Sequence, residues 1–331
     1  MSYDNEPAAP PGRGAMIAAL AAVYLIWGST YIGIRFAIET LPPFLMASTR
    51  FLIAGALLYS WQRRRGAPAP RRLHWRSATV VGALMILGGN GGVTWSEQHV
   101  PSGFAALMIG AVPIFVVLVE WLAFGAPRPN GRMAFGLLAG MSGMALLIGP
   151  AEVIGGEGVN LLGVGALLIA ALAWTLGSLY SRRAPLPRVP LLATGMEMLA
   201  GGGALLLVGT LAGEWGQLDL AAVSSRSLIA LAYLTFFGSL MGFTAYLWLL
   251  RHTTAARAAS YAYVNPVVAV FLGWALAGET LNLRTLVAAA IIISSVVVIT
   301  SARAQNGQQR APRPAVSGGT PPVASEAGAA K

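Results

Sequence analysis

Apolar residues along this chain fall in blocks of nearly twenty, set apart by short polar stretches, without the sustained alternation of a half-buried strand. A helix of about 20 apolar residues crosses roughly 30 Å of hydrocarbon. Inside lipid, each backbone polar group has to be satisfied within its own segment, which makes such blocks helices. The pattern predicts an all-α polytopic membrane protein with ten transmembrane helices, over residues 15–35, 43–61, 77–95, 103–124, 133–150, 160–180, 190–211, 227–250, 255–277 and 283–301. The first block follows Arg13 as a signal peptide would, but its apolar run is too long and lacks a small-residue cleavage site, so a retained helix is expected. Residues 1–14 form a short N-terminal segment, and residues 302–331, rich in Gln, Pro, Gly, Ala and Ser, read as a disordered tail.

Composition and charge sharpen this picture. Only 10% of residues are charged, against about 25% in soluble domains, too few to coat a surface facing water. Cysteine is absent, which removes disulfides, zinc–thiolate centres and thiol nucleophiles together. The net charge of +10 is carried by arginines in the loops. When loops are assigned to alternating sides, eighteen of the 22 Lys and Arg residues fall on one side, including Arg63, Arg64, Arg65, Arg71, Arg72 and Arg76. The other side holds Arg35, Arg226 and Arg284, and Arg50 lies within a span. This asymmetry is a topology signal and excludes a nucleic-acid patch; it predicts a multi-pass protein of a bacterial-type inner membrane with both termini in the cytoplasm. The Arg63–Arg76 cluster anchors that topology, with anionic lipid headgroups as its available partners.

The chain also repeats itself. At an offset of 147, Trp27 falls on Trp174, Arg35 on Arg182, Pro43 on Pro190 and Gly55 on Gly202; at 153, Trp95 falls on Trp248, His99 on His252, Pro113 on Pro266 and Trp121 on Trp274. Rare residue types keeping register in this way divide the chain into halves at 15–150 and 151–301, with five spans each. An odd number of spans starts the second half on the opposite side, so the repeat is inverted, as in many secondary transporters, whose binding site lies near the midplane between the halves.

The stretch from Ala22 to Thr30 (AVYLIWGST), followed by Arg35 and Phe36, and the run from Tyr263–Val264–Asn265–Pro266–Val267 to Gly278–Glu279, resemble the drug/metabolite transporter superfamily of EamA type. The resemblance covers about residues 15–301. It implies ten helices in two EamA repeats, a central cavity, and export of small metabolites such as amino acids, or of drugs. One departure stands out: Gly278–Glu279 in the second half faces Gly125–Ala126 in the first, where the acid is missing.

Ionisable residues inside spans cost about 2.5–3.5 kcal/mol on insertion scales and are functional candidates by default. Arg50 and Glu197 occupy equivalent positions of the two halves, 147 apart, and are expected to pair with each other or through a substrate. Glu197 is also the expected titratable group for exchange of substrate against protons, and Glu120 lies late in the fourth span. Asn90, within Gly88–Gly92, is either a cavity donor or a bystander in a close-packing helix. Trp27 and Tyr31 are cavity candidates through the family motif, whereas Trp95, Tyr246 and Trp248 fit an interfacial belt equally well. Pro113 and Pro266 are candidate hinges, because each removes a backbone donor within a span. Two rival classes are weighed against transport: a receptor or structural membrane component, and an intramembrane enzyme, since Gly140–Met141–Ser142–Gly143 imitates a protease serine motif. His74, His99 and His252 all sit at span edges or in loops, away from that serine, and no HExxH motif is present. The glycines Gly136, Gly140 and Gly143 read instead as a packing face. No cofactor or metal site is expected; the expected partners are a small-molecule substrate, membrane lipids and the coupling proton, with oligomeric state left open.

Overall fold

The computed structural model describes residues 12–110, 112–125, 128–148, 160–252 and 261–309, and every regular element among them is helical. Helices α1 (Arg13–Ala37) and α2 (Pro43–Arg64) are followed by α3 (Arg72–Val81), which runs through a π-helical stretch, Gly82–Gly91, into α4 (Gly92–Ser96). Then come α5 (Ser102–Ile109), α6 (Val112–Phe124) and α7 (Gly131–Ile148). The remainder comprises α8 (Leu161–Ser181), α9 (Pro190–Leu211), α10 (Ser225–Tyr233) leading through a second π-helical stretch, Leu234–Gly242, into α11 (Phe243–His252), α12 (Tyr261–Ala277) and α13 (Leu283–Gln309). Among the described residues seven helical segments are long and apolar enough to cross a membrane: Arg13–Ala37, Pro43–Arg64, Arg72–Ser96, Ser102–Ala123, Leu161–Ser181, Pro190–Leu211 and Ser225–Tyr246. Val264–Ala277 and Leu283–Ile299 are shorter apolar helices. The expected ends of the fifth span (149–150) and the start of the ninth (255–260) lie outside the described residues, as do 1–11 and 310–331; α13 continues eight residues past Ser301, to Gln309.

The distribution of side chains is that of a membrane protein. Leu122, Leu162 and Leu211 are each at least 70% exposed, while Arg50 and Glu97 are almost wholly enclosed. Large aliphatic groups pointing outward in this way suit a hydrocarbon solvent and would be costly in water. Cohesion between the helices therefore depends on close van der Waals contact and small residues. Helix α2 packs along α9, α7 along α13, and α1 against both α12 and the α10–α11 segment, while α8 packs against α4 and the first π-helical stretch. At the crossing with α9, a methyl group built on Gly82 would lie 2.6 Å from the carbonyl oxygen of Glu197 and 2.7 Å from the nitrogen of Gly201. Those neighbours are backbone atoms, so only glycine fits. Gly136, Gly140 and Gly143 face α13 through Ile299, Ser295 and Ile292, the packing role expected of them.

The fourth expected span comprises α5, capped by Gly110, and α6 from Val112, and its apolar run covers Ser102–Ala123. Pro266 lies inside α12, and a methyl group on Gly110 would come 2.7 Å from its ring, so α12 approaches the end of α5 closely.

Candidate functional site

A cavity of about 610 Å³, its open side included, lies among the helices, with Trp27, Thr30, Tyr31, Arg50, Asn90, Trp174, Phe243, Tyr261 and Asn265 on its walls. Its polar centre is Arg50 of α2, 2% exposed. One Nη of its guanidinium donates to the side-chain oxygen of Asn90 at 3.1 Å, whereas Nε and the other Nη, both buried, have no hydrogen-bond partner. Asn90 reaches Arg50 from the first π-helical stretch, and its amide donates back to the carbonyl of Met85, five residues earlier, at 3.3 Å. Gly88 and Gly89 let this stretch lie directly on Ala173 and Trp174 of α8. The glycine run packs this stretch closely on α8, and Asn90 lies on the cavity wall.

The apolar wall is an aromatic cluster. Trp27 meets Trp174 edge-on at 5.9 Å and Tyr261 at 5.2 Å, and it also packs against Phe243 and Tyr246. Its indole N–H donates to the carbonyl of Gly238, in the second π-helical stretch, at 3.2 Å. Edge-on aromatic pairs add about 0.5–1.5 kcal/mol each beyond their burial, enough to fix these rings as a wall. Tyr246 belongs to this cluster and is buried, so it is not an interfacial belt residue. Trp95 instead meets the His99 ring edge-on at 4.5 Å, and Trp248 stacks on His252 at 4.4 Å.

Glu97, placed by the sequence among the loop acids, is fully buried beside this site. It lies one residue beyond α4; its own N–H donates to Val93, a cavity residue, while Arg35 donates to its backbone carbonyl at 2.9 Å. Neither carboxylate oxygen has a hydrogen-bond partner. Burial pushes this carboxyl well above the usual range and nearby Glu279 pushes it further, while Arg35 and Arg50 oppose the shift. A usable signal was present in the sequence: Asn90, Val93 and Glu97 are spaced i, i+3 and i+7, on one helical face.

Two other acids staple helix starts. After Pro42 and Pro43, which have no N–H to donate, Phe44 and Leu45 donate to the carboxylate of Glu214 at 3.1 and 2.8 Å. After Pro101, Ser102 donates its N–H and hydroxyl to Glu279 at 2.7 and 2.6 Å, and Gly103 donates its N–H at 3.0 Å. Each acid follows a glycine of positive φ (Gly213 at 74° and Gly278 at 68°) that ends the preceding helix and turns the acid back into the bundle. A carboxylate accepting from a helix N-terminus is stabilised by the orphan donors and the dipole there. These staples far outweigh the Arg226–Glu39 ion pair at 3.3 Å, whose partners are 51% and 37% exposed.

Of the residues singled out from sequence, Trp27, Tyr31, Arg50 and Asn90 converge on one cavity. Glu197 is half-buried on α9 and is not among the cavity's lining residues. Ser142 spends its hydroxyl on the carbonyl of Leu138, on an exposed face of α7.

A bundle of membrane-length apolar helices around a cavity with a buried cation in its wall defines a polytopic membrane transport protein. The chain belongs to the EamA-like transporter family, whose sequence model matches residues 13–149 and 161–301. It is 40% identical over 287 residues to the uncharacterised inner membrane transporter YedA of Escherichia coli K12, covering 86% of this chain and 90% of that one. A chloroplastic WAT1-related protein of Arabidopsis thaliana is 25% identical, over 87% of this chain and 70% of its own. The uncharacterised transporter YoaV of Bacillus subtilis is 24% identical, over 85% and 95%. One crystal structure shares the fold with a TM-score of 0.60 at 20% identity, covering 89% of this chain and 99% of that one.

Proposed function

We propose that this membrane transporter exports small metabolites, such as amino acids or related compounds, by alternating access between two inverted five-helix halves of a ten-helix bundle in a bacterial inner membrane, with both termini in the cytoplasm. The observation that carries this reading is Arg50, enclosed at the centre of the cavity with two donor nitrogens unspent. A static protein gains nothing from so costly a group, whereas a binding site uses those donors for its ligand.

Several features support the two-fold relation. Trp27 and Trp174, equivalent at an offset of 147, meet edge-on beside the cavity. The π-helical stretches begin at Gly82 and Leu234, and the four positive-φ glycines form two pairs, Gly66 with Gly213 and Gly125 with Gly278, at offsets of 147 and 153. Contacts are exchanged in the same sense: α1 of the first half packs on α10–α11 of the second, and α8 of the second packs on α3–α4 of the first. Pro113 and Pro266, the latter close to Gly110, supply the hinge about which the halves rock. Medium from cells overproducing the protein should accumulate at least one small organic solute relative to medium from a deletion strain, measured by untargeted metabolite profiling. Indistinguishable media across several nutrient conditions would count against export.

A further inference from the structure

Glu97 is the buried group for which the transport reading has no use. It is wholly excluded from solvent, and both carboxylate oxygens lack a hydrogen-bond donor. A permanently ionised carboxylate there would be stabilised by direct pairing, yet Arg35 bonds only its backbone carbonyl and Arg50 bonds Asn90. The charged and titratable groups around it are Arg35 and Tyr31 from α1, Arg50 from α2, and Glu279 from the turn after α12. From α8 the neighbour is Gly163, against Ser96, His99 and Val100, and the His99 ring meets Trp95 edge-on. Arg50 is therefore the cation through which the cavity and Glu97 sense one another.

We propose that Arg50 and Glu97 form a linked binding site for a small carboxylate-bearing solute and a proton, the carboxylate taking the free donors of Arg50 and the proton residing on Glu97. In the empty site Arg50 and an ionised Glu97 balance each other. A solute carboxylate entering on Arg50 brings a second negative charge towards Glu97, and protonation of Glu97 removes that repulsion. The burial-raised carboxyl of Glu97 is suited to take up this proton, since its neutral form costs far less to bury without a partner than its ionised form. Binding of anion and proton is thus mutually favourable and, by linkage, reciprocal. This inference rests on the transport reading and gives it a coupling: the loaded site carries an anion and a proton together, an electroneutral co-transport and not the exchange expected from Glu197. Export then proceeds whenever the outward solute gradient exceeds the inward pH gradient.

The test uses the full-length protein in detergent, with benzoate as the probe anion and benzamide as its neutral counterpart. Benzoate keeps its charge between pH 6 and 8, so changes in its affinity report on the protein. Affinity read from quenching of tryptophan fluorescence, to which Trp27 and Trp174 in the cavity wall contribute, should rise as pH falls, by up to about tenfold per unit for one linked proton. Benzoate should also draw a proton from weakly buffered solution, while benzamide should not. Glu97→Gln should bind benzoate with the wild type's low-pH affinity at every pH, and Glu97→Asp, which still titrates, should keep the slope. Flat benzoate affinity in the wild type, no proton uptake, an unchanged slope in Glu97→Gln, or no benzoate binding at any pH would each overturn the proposal. If Glu97→Gln does not fold, proton uptake by the wild type decides the matter alone. These are binding measurements, so a protein that shows this signature but moves no solute fails the transport reading alone.

Discussion

Arg50→Ala should reduce solute release to the level of the deletion strain while the variant still inserts and accumulates. The guanidinium supplies the cavity's unspent donors, and hydrogen bonds from a charged group contribute about 1.5–3 kcal/mol each. Losing two of them lowers affinity by more than a hundredfold, since 1.4 kcal/mol is a factor of ten. Insertion survives because an alanine within α2 lowers the cost of placing that helix in lipid. Arg50→Lys is the discriminating companion. It keeps the charge but replaces a planar fork with a single ammonium, so apparent KM should rise at least about tenfold with a smaller change in maximal rate. If carboxylate recognition is not the role of Arg50, the lysine variant would transport with an unaltered KM.

The largest structural effect is expected at Gly82→Val. The added side chain meets the carbonyl of Glu197 and the nitrogen of Gly201, backbone atoms of α9 that cannot turn aside as a side chain would. Overpacking costs about 1–3 kcal/mol even where side chains can yield, and more where they cannot. The variant should therefore lose most of its folded yield in size-exclusion profiles of detergent extracts. Gly203→Ala, on the same α9 but with nothing within 4 Å, should be neutral or gain up to about 1 kcal/mol from helix propensity. Equal profiles for the two variants would show that the crossing of the first π-helical stretch with α9 is looser than described.

The helical membrane class was legible because apolar blocks of membrane length have few alternatives, and seven of the expected spans appear as full-length apolar helices among the described residues. Trp27, Tyr31, Arg50 and Asn90 were legible because polar or motif-bearing residues within such blocks are few. Glu97 was missed because hydropathy assigns a glutamate one residue past a span to water; only the folding of that helix end against α1 and α8 encloses it. The π-helical stretches were likewise hidden. They lie where Trp174 and Trp27 press against Gly89 and Gly242, a property of tertiary contact. The expected Arg50–Glu197 pairing rested on the offset, on the resemblance that sets both spans around the cavity and on the cost of lone charges in lipid, and equivalence by symmetry fixes depth along a helix without fixing which face a side chain occupies. The acid missing at Ala126 is explained in kind by the staples: Glu214 and Glu279 of the second half each hold a helix start of the first.

The sequence contains no cysteine, so a single cysteine at Thr30, a cavity-wall position, gives a unique chemical reporter. Thr30→Cys should be labelled by a membrane-impermeant maleimide in right-side-out vesicles and also in inside-out vesicles, because alternating access opens the same cavity to each face in turn. Labelling from one face only, under every condition in which the variant transports, would contradict that account.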